Sequence, residues 1–254
     1  MKILSNFAFS ECDATTDIIS EIMHIPDGYL SPQTYIPLFG AFAAATAVAV
    51  RKVKKEVSVR NIPYLGMAAA FSFIIMMFNL PVPGGTTGHA VGSAVIAILF
   101  GPWAAMIAVS VALIIQALVF GDGGITAIGA NCFNMAVFMP FVAWYIFKLA
   151  GNNPVKTKRI FLVAFISGYL SLVLTAILTA FEFGIQPIIA SAADGKALYC
   201  PYDLSIAIPA MAIEHLLLFG IAEGMITALI IRYVLVNEPG LIHAFRKEGQ
   251  YENK

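Results

Sequence analysis

Charge is scarce in this sequence. Asp, Glu, Lys and Arg make up only 12% of its 254 residues, about half the share found in soluble domains. Cysteine is scarcer still: Cys12, Cys132 and Cys200 stand far apart, with no metal-ligand spacing and no disulfide framework. Cys132 falls in an apolar stretch and reads as a small packing residue. There is no Gly-x-x-x-x-Gly-Lys-[Ser/Thr] run, so the chain lacks the phosphate cradle of P-loop ATPases. There is no His-Glu-x-x-His pair either, which excludes the common helix-borne zinc hydrolase site. Residues 1–22 have four acidic residues and no apolar centre, which is not the pattern of a secretory signal. The net charge is zero, and nucleic acid is not an expected partner. No internal repeat or low-complexity tract divides the chain, so one domain is expected.

What the sequence does have is apolar length. Hydrophobic residues reach 59% and the mean hydropathy is +0.84. A membrane-crossing helix needs about 20 mostly apolar residues. The expected fold is all-α and polytopic, with seven transmembrane helices at about 34–51, 62–80, 88–100, 103–120, 125–149, 160–183 and 204–236, and glycine-rich outer loops folded inward. The third is short and ends at Gly101-Pro102, where proline lacks an amide donor and disfavours helix in the residue before it.

The basic residues sort by side. Arg51, Lys52, Lys54, Lys55 and Arg60 flank the first turn, Lys148, Lys156, Lys158 and Arg159 the fifth, and Arg232, Arg246, Lys247 and Lys254 lie at or after the last helix. Seven crossings put all of these on one face and leave Lys2 and Lys196 opposite. Basic loops stay cytoplasmic, so the N-terminus is expected outside and the C-terminus in the cytoplasm of a cell that carries the protein in its plasma membrane. The opposite face collects acid, including Asp27, Asp122, Asp194 and Asp203. An acidic mouth concentrates cations; acidic loops can equally be plain solvated surface.

Three outer stretches carry the chemistry. They are Met23-His24-Ile25-Pro26-Asp27-Gly28-Tyr29-Leu30-Ser31-Pro32, Pro81-Val82-Pro83-Gly84-Gly85-Thr86-Thr87-Gly88-His89, and Gly121-Asp122-Gly123-Gly124 with Gly129-Ala130-Asn131-Cys132-Phe133-Asn134-Met135. Irregular backbone is tolerated at membrane depth only where protein buries it or water reaches it, so these stretches are expected to fold over a site. His24 and His89 both belong to them, and neutral imidazole suits Ni2+, Co2+, Cu2+ and Zn2+.

These motifs, together with Gly101-Pro102-Trp103-Ala104-Ala105, Leu198-Tyr199-Cys200-Pro201-Tyr202, Ile208-Pro209-Ala210-Met211 and Glu223-Gly224-Met225-Ile226-Thr227, resemble the CbiM/NikM family. That family supplies the substrate-specific (S) component of energy-coupling-factor transporters for cobalt and nickel. The resemblance runs from Met23 to about Val236. It implies a metal-capture domain over 23–236, an N-terminal extension over 1–22 and a cytoplasmic tail over 237–254. It implies an ion held by the amine of Met23, the amide and ring of His24, and the ring of His89. Four nitrogens in a plane suit Ni2+, and a deprotonated amide makes binding steeply pH-dependent. The 22 residues before Met23 depart from the family pattern; the expectation is that translation starts at Met23 or that processing exposes it. No cofactor is bound permanently, and Ni2+ or Co2+ is the cargo. The implied partners are a CbiQ/NikQ-like transmembrane coupling subunit, CbiO/NikO-like ATPases and a small accessory membrane subunit.

Other residues admit two readings. Asn131, Asn134, Gln116 and Thr87 are candidates for orienting the ligands, or for bonding helix to helix. His215 is expected beneath the metal loops, next to Glu214. Ionisable groups inside a bilayer are functional suspects, and Glu223, on the opposite helical face from Glu214, is a candidate partner contact. So are Ala43, Ala47, Gly66 and Ala70, since small residues at four-residue spacing let helices approach closely. The alternatives to metal capture are an intramembrane metal-dependent hydrolase, for which Glu214-His215 would argue, and a vitamin-specific S component, which would need an aromatic-lined pocket.

Overall fold

The computed structural model describes residues 24–57, 62–82, 86–150, 157–238, 240 and 242. Met23, the extension over 1–22, the Pro83–Gly85 turn and most of the tail after 238 lie outside the described residues.

The elements run α1 (Pro32–Glu56), α2 (Ile62–Met76), β1 (Leu80–Val82), β2 (Thr86–Gly88), α3 (Ser93–Phe100), α4 (Pro102–Phe120), α5 (Ile128–Leu149), α6 (Thr157–Gly184), α7 (Gln186–Ile189) and α8 (Leu204–Asn237). Local sequence explains several boundaries. Pro32 and Pro102 take the first helical positions of α1 and α4, where a missing amide costs nothing. Asp203 caps α8, its Oδ1 accepting from Ser205 N–H at 2.8 Å and Ile206 N–H at 3.2 Å, the role short acidic side chains take at helix starts.

Five helices (α1, α4, α5, α8 and the run 159–189 that joins α6 and α7) are long and apolar enough to cross a membrane. Two expected spans are corrected. Helix 62–80 ends at Met76, and the chain turns at Leu80 into a hairpin that pairs Leu80 with Gly88, Pro81 with Thr87 and Val82 with Thr86. Helix 88–100 is helical only from Ser93. Its eight residues span about 12 Å at 1.5 Å each, less than half of a bilayer's hydrocarbon. The cause is local: Gly92 has φ +72°, the left-handed region that ends regular helix and suits glycine. So Gly88–Gly92 runs through the protein interior without helical structure, and the described residues are mostly helical, with a small hairpin.

α6 and α8 pack antiparallel, with Gly184 against Leu204 at one end and Gly168 against Thr227 further along. α3 lies against them, its residues 93–99 all buried. A second apolar cluster centres on α4, with Met106, Val109 and Leu113 packed among α1, α2 and α5. α1 is peripheral: 11% of its apolar window is buried, against 56% for α4. Its Ile36, Phe39 and Val48, and Met67 and Ile74 of α2, are exposed, apolar faces suited to lipid or to another membrane protein.

Candidate metal centre

The stretch after His24 is held as a plug by residues 124–131 and by Gln186 and Cys200. Asn131 grips the peptide of Ile25 from both sides: its Oδ1 accepts from Ile25 N–H at 3.1 Å and its Nδ2 donates to Ile25 O at 3.2 Å. Gly124 N–H donates to the same carbonyl at 2.9 Å. The glycines beside Asp122 explain themselves here. Gly123 has φ +89°, and a Cβ on Gly124 would stand 2.3 Å from Asp27 N, so only glycine lets this loop lie flat on the plug. Asp27 returns the hold, accepting from Ile125 N–H at 3.1 Å, Thr126 N–H at 2.8 Å and the Thr126 hydroxyl. Partial burial disfavours the charged form of Asp27, but these three bonds outweigh it and keep the carboxyl below its ordinary 3.8, as hydrogen bonds to a carboxylate do. Further along, Cys200 N–H donates to Tyr29 O at 3.1 Å and Ser31 N–H to Gln186 Oε1 at 2.9 Å.

His89 arrives from the hairpin. Its Nδ1 stands 3.2 Å from Ala90 O; donation there selects the tautomer whose Nε2 carries the lone pair. His24 and His89 are both buried, at 7% and 8% exposure, and their rings meet edge to face with centroids 5.0 Å apart at 64°. An imidazole ligand places its centroid about 3 Å from a metal bound at roughly 2.0 Å, so two rings on one ion stand about 4–6 Å apart. The observed spacing lies within that range. His24 Nδ1 sits 3.2 Å from Asp122 Oδ1 without hydrogen-bond alignment, and neither His24 ring nitrogen has a hydrogen-bond partner. Buried nitrogens left so are costly unless something is to be bound.

The two rings open on a cavity of about 80 Å3, room for an ion with some water. Thr87, Asn131, Asn134 and His215 all line it, together with Met135, Thr175, Thr179 and Met211 of the surrounding helices. His215 Nδ1 donates to Met211 O at 2.8 Å, with Glu214 Oε1 3.5 Å from the same nitrogen. Gln116 is not among the lining residues. It is fully buried, its Nε2 3.9 Å from Met77 Sδ, just past the end of α2. Three helices lose α geometry, with π-helical turns at Phe133–Phe138 and His215–Phe219, which reach the cavity, and at Gln116–Phe120, which does not. Such turns insert one residue into a helix and recur at functional sites. Here they put Asn134, Met135 and His215 on the cavity wall.

Asp122, expected among the acids of the outer face, lies half-buried beside His24. One expectation is corrected. Glu223, taken as a partner contact, is 0% exposed and accepts from Val91 N–H at 2.8 Å and Gly92 N–H at 2.9 Å, so it offers no surface to a partner. Ala43, Ala47, Gly66 and Ala70 are exposed on α1 and α2. The sequence reading passed over Glu182 and Gln186. Glu182 is buried and takes a 2.8 Å bond from Asn134 Nδ2. Gln186 Nε2 donates to Glu182 O at 2.7 Å and Thr34 Oγ1 at 2.9 Å. A signal for Glu182 was present: it is a lone carboxylate within an apolar run.

Over residues 24–241 the chain matches the family described as the cobalt uptake substrate-specific transmembrane region, CbiM. It is 48% identical over 221 residues to a fused nickel transport protein, NikMN, of Rhodobacter capsulatus, covering 87% of this chain and 64% of the relative. It is 50% identical over 214 residues to a probable fused nickel transport protein, LarMN, of Lactiplantibacillus plantarum, covering 84% and 64%. The chain thus spans under two thirds of those fused relatives. Against a putative metal transport protein of Methanocaldococcus jannaschii it is 46% identical, covering 86% of this chain and 94% of that one. The crystal structure of a truncated transition metal transporter superposes with a TM-score of 0.80 at 47% identity, covering 84% of this chain and 99% of that one.

Proposed function

This chain belongs to the cobalt uptake substrate-specific transmembrane family, CbiM, and from that premise we propose that it captures Ni2+ or Co2+ outside the cell as the membrane-embedded S component of an energy-coupling-factor importer. The family and the relatives named above are metal transport proteins, not enzymes, which sets the hydrolase alternative aside; the vitamin alternative falls with it.

The observation that carries the reading is the meeting of His24 and His89, two buried imidazoles from distant stretches with centroids 5.0 Å apart. Among the described residues, no three His, Cys, Asp or Glu side chains are grouped to hold an ion. Two rings alone are a weak site, so the remaining donors come from backbone nitrogen: the His24 amide and, where the chain begins at Met23, its amine. The amine and amide close a five-membered chelate, and the amide and Nδ1 a six-membered one. In this cycle His24 Nδ1 turns from Asp122 to the ion. Thr87, Asn131, Asn134 and His215 surround the ion and orient its ligands. Nitrogen-rich planar coordination leans toward nickel.

Seven crossings follow when α2 and the composite of Gly88–Gly92 with α3 are counted with the five long spans. They leave the N-terminus outside and the C-terminus in the cytoplasm of the plasma membrane. The chain carries no ATPase motif, so a coupling subunit, ATPases and an accessory membrane subunit supply energy and move it. The exposed small residues of α1 and α2 are the face offered to the coupling subunit. Relatives named as fused nickel transport proteins extend beyond the part matched here, which supports an additional component.

The test is uptake of labelled nickel and cobalt by cells expressing the whole complex. His24→Ala and His89→Ala are expected to abolish uptake with membrane insertion intact. Normal uptake by either variant defeats the reading, and so does zinc with hydrolytic activity in the purified protein.

A further inference from the structure

The segment Gly88–Gly92 carries His89 through the protein interior without helical hydrogen bonds, so something else must hold it. Much of that hold comes from one face of α8. Phe219 and Glu223 are four residues apart and therefore neighbours on the helix. At one end of the segment, a Cβ on Gly88 would stand 2.3 Å from the Phe219 ring, so the ring abuts bare backbone. At the other end, Glu223 Oε2 accepts from Val91 N–H at 2.8 Å and Gly92 N–H at 2.9 Å. Those amides precede α3 and would be orphans in a buried site. A carboxyl oxygen there supplies the acceptor that the backbone of the broken segment does not. His89 lies between the two contacts. From the far side, α2 closes the clamp: Ser72 Oγ donates to Val91 O at 2.8 Å.

We propose that Phe219 and Glu223 form a two-point grip by which α8 sets the position of His89. A displacement of α8 then changes the spacing of His89 from His24, and with it the fit to the ion. Phe219 also reaches the cavity wall directly, its ring centroid 5.4 Å from that of His215. Glu223 is thus a positioning residue that never touches the cargo. The π-helical turn His215–Phe219 ends on the first of the two grip residues, and such turns recur at functional sites. The inference rests on His89 being a metal ligand.

The experiment uses the full chain, purified in detergent and titrated with Ni2+ alone, reading affinity and the ligand-field absorption band of bound nickel. His89→Ala tests the premise and is expected to abolish binding; retained binding there overturns the site reading, and the grip with it. Glu223→Gln keeps the shape and replaces one carboxyl oxygen with an amide NH2, which donates and cannot accept. It is expected to weaken nickel binding about tenfold, as loss of an orienting group around a metal does, and to shift the band. Glu223→Asp keeps the carboxyl group but withdraws it by one methylene, and is expected to shift the band less. A purely architectural role would lower thermal stability and leave affinity and band of the folded protein unchanged; that result overturns the grip while His89→Ala still upholds the site. In the unsubstituted protein, the amide hydrogens of Val91 and Gly92 are expected to exchange more slowly with nickel bound than without it. Equal exchange in both states overturns the proposal whatever the variants do.

Discussion

The flank made by α1 and α2 and the core around the His24–His89 pair obey different rules, although both are apolar and both sit in the same bundle. The flank is regular helix with exposed Ile, Phe, Met and Val, and its glycine at position 66 has open space where a Cβ would go. The core is irregular: a hairpin, a segment without regular structure at 89–92 and three π-helical turns. Its buried polar groups include Asn131, Asn134, Glu182, His215 and Glu223. A regular helix satisfies its own backbone and can face lipid. Broken backbone cannot, so it survives only where side chains from other helices supply the missing partners. The site thus gains the freedom to aim ligands at the expense of needing many specific neighbours.

Several substitutions would break or sharpen that contrast. His89→Ala in the core should remove nickel binding altogether, measured by equilibrium dialysis of the purified chain; retained binding would place the ion elsewhere. Gly124→Ala comes next. Its new Cβ meets the Asp27 backbone at 2.3 Å, so the loop must lift from the plug. Nickel affinity should fall by about an order of magnitude or more, the scale seen when groups supporting a metal site are disturbed. Asn131→Ala removes both bonds to the Ile25 peptide and leaves buried partners unsatisfied, at about 1–3 kcal/mol each. Thermal unfolding in detergent should register the loss, and nickel should restore less stability than it does to the unsubstituted chain.

A smaller effect is expected from Asp27. Its folded pKa lies below the ordinary 3.8, so its contribution is fully present above that value and is lost as pH falls through the folded one. Stability measured down through this window should decline less steeply in Asp27→Asn. Last, Gly66→Ala on the flank should leave nickel binding unchanged, because nothing lies within 4 Å of the added methyl. A loss of uptake in cells with binding intact would mark that face as a docking surface.

The sequence made some of this legible and hid the rest for identifiable reasons. Long apolar runs announced α1, α4, α5, α6 and α8, since span length is set by the bilayer and not by neighbours. His24 and His89 stood out because imidazoles in glycine-rich loops are rare in an apolar chain. The end of helical structure before Ser93 was not visible, because Gly92 permits a left-handed turn without requiring one. Glu223 was misread for a related reason. A carboxyl group in an apolar helix signals an unusual role, but only the non-helical Gly88–Gly92 segment shows that the role is to cap two amides. The sorting of charges expects Asp122 among the outer acids; its place beside His24 depends on how Gly123 and Gly124 fold over the plug.

Composition and periodicity alone determined that this chain is a bundle of apolar helices with its chemistry concentrated in a few loops, because hydrophobic length is a property of each segment by itself. Tertiary structure alone decided which polar groups meet. The 5.0 Å approach of the two rings, the clasp of Asn131 on Ile25 and the hold of Glu223 on Val91 and Gly92 each join residues far apart in the chain. Such contacts exist only once neighbouring helices pack and exclude water, so that each broken stretch of backbone must take its partners from elsewhere in the fold.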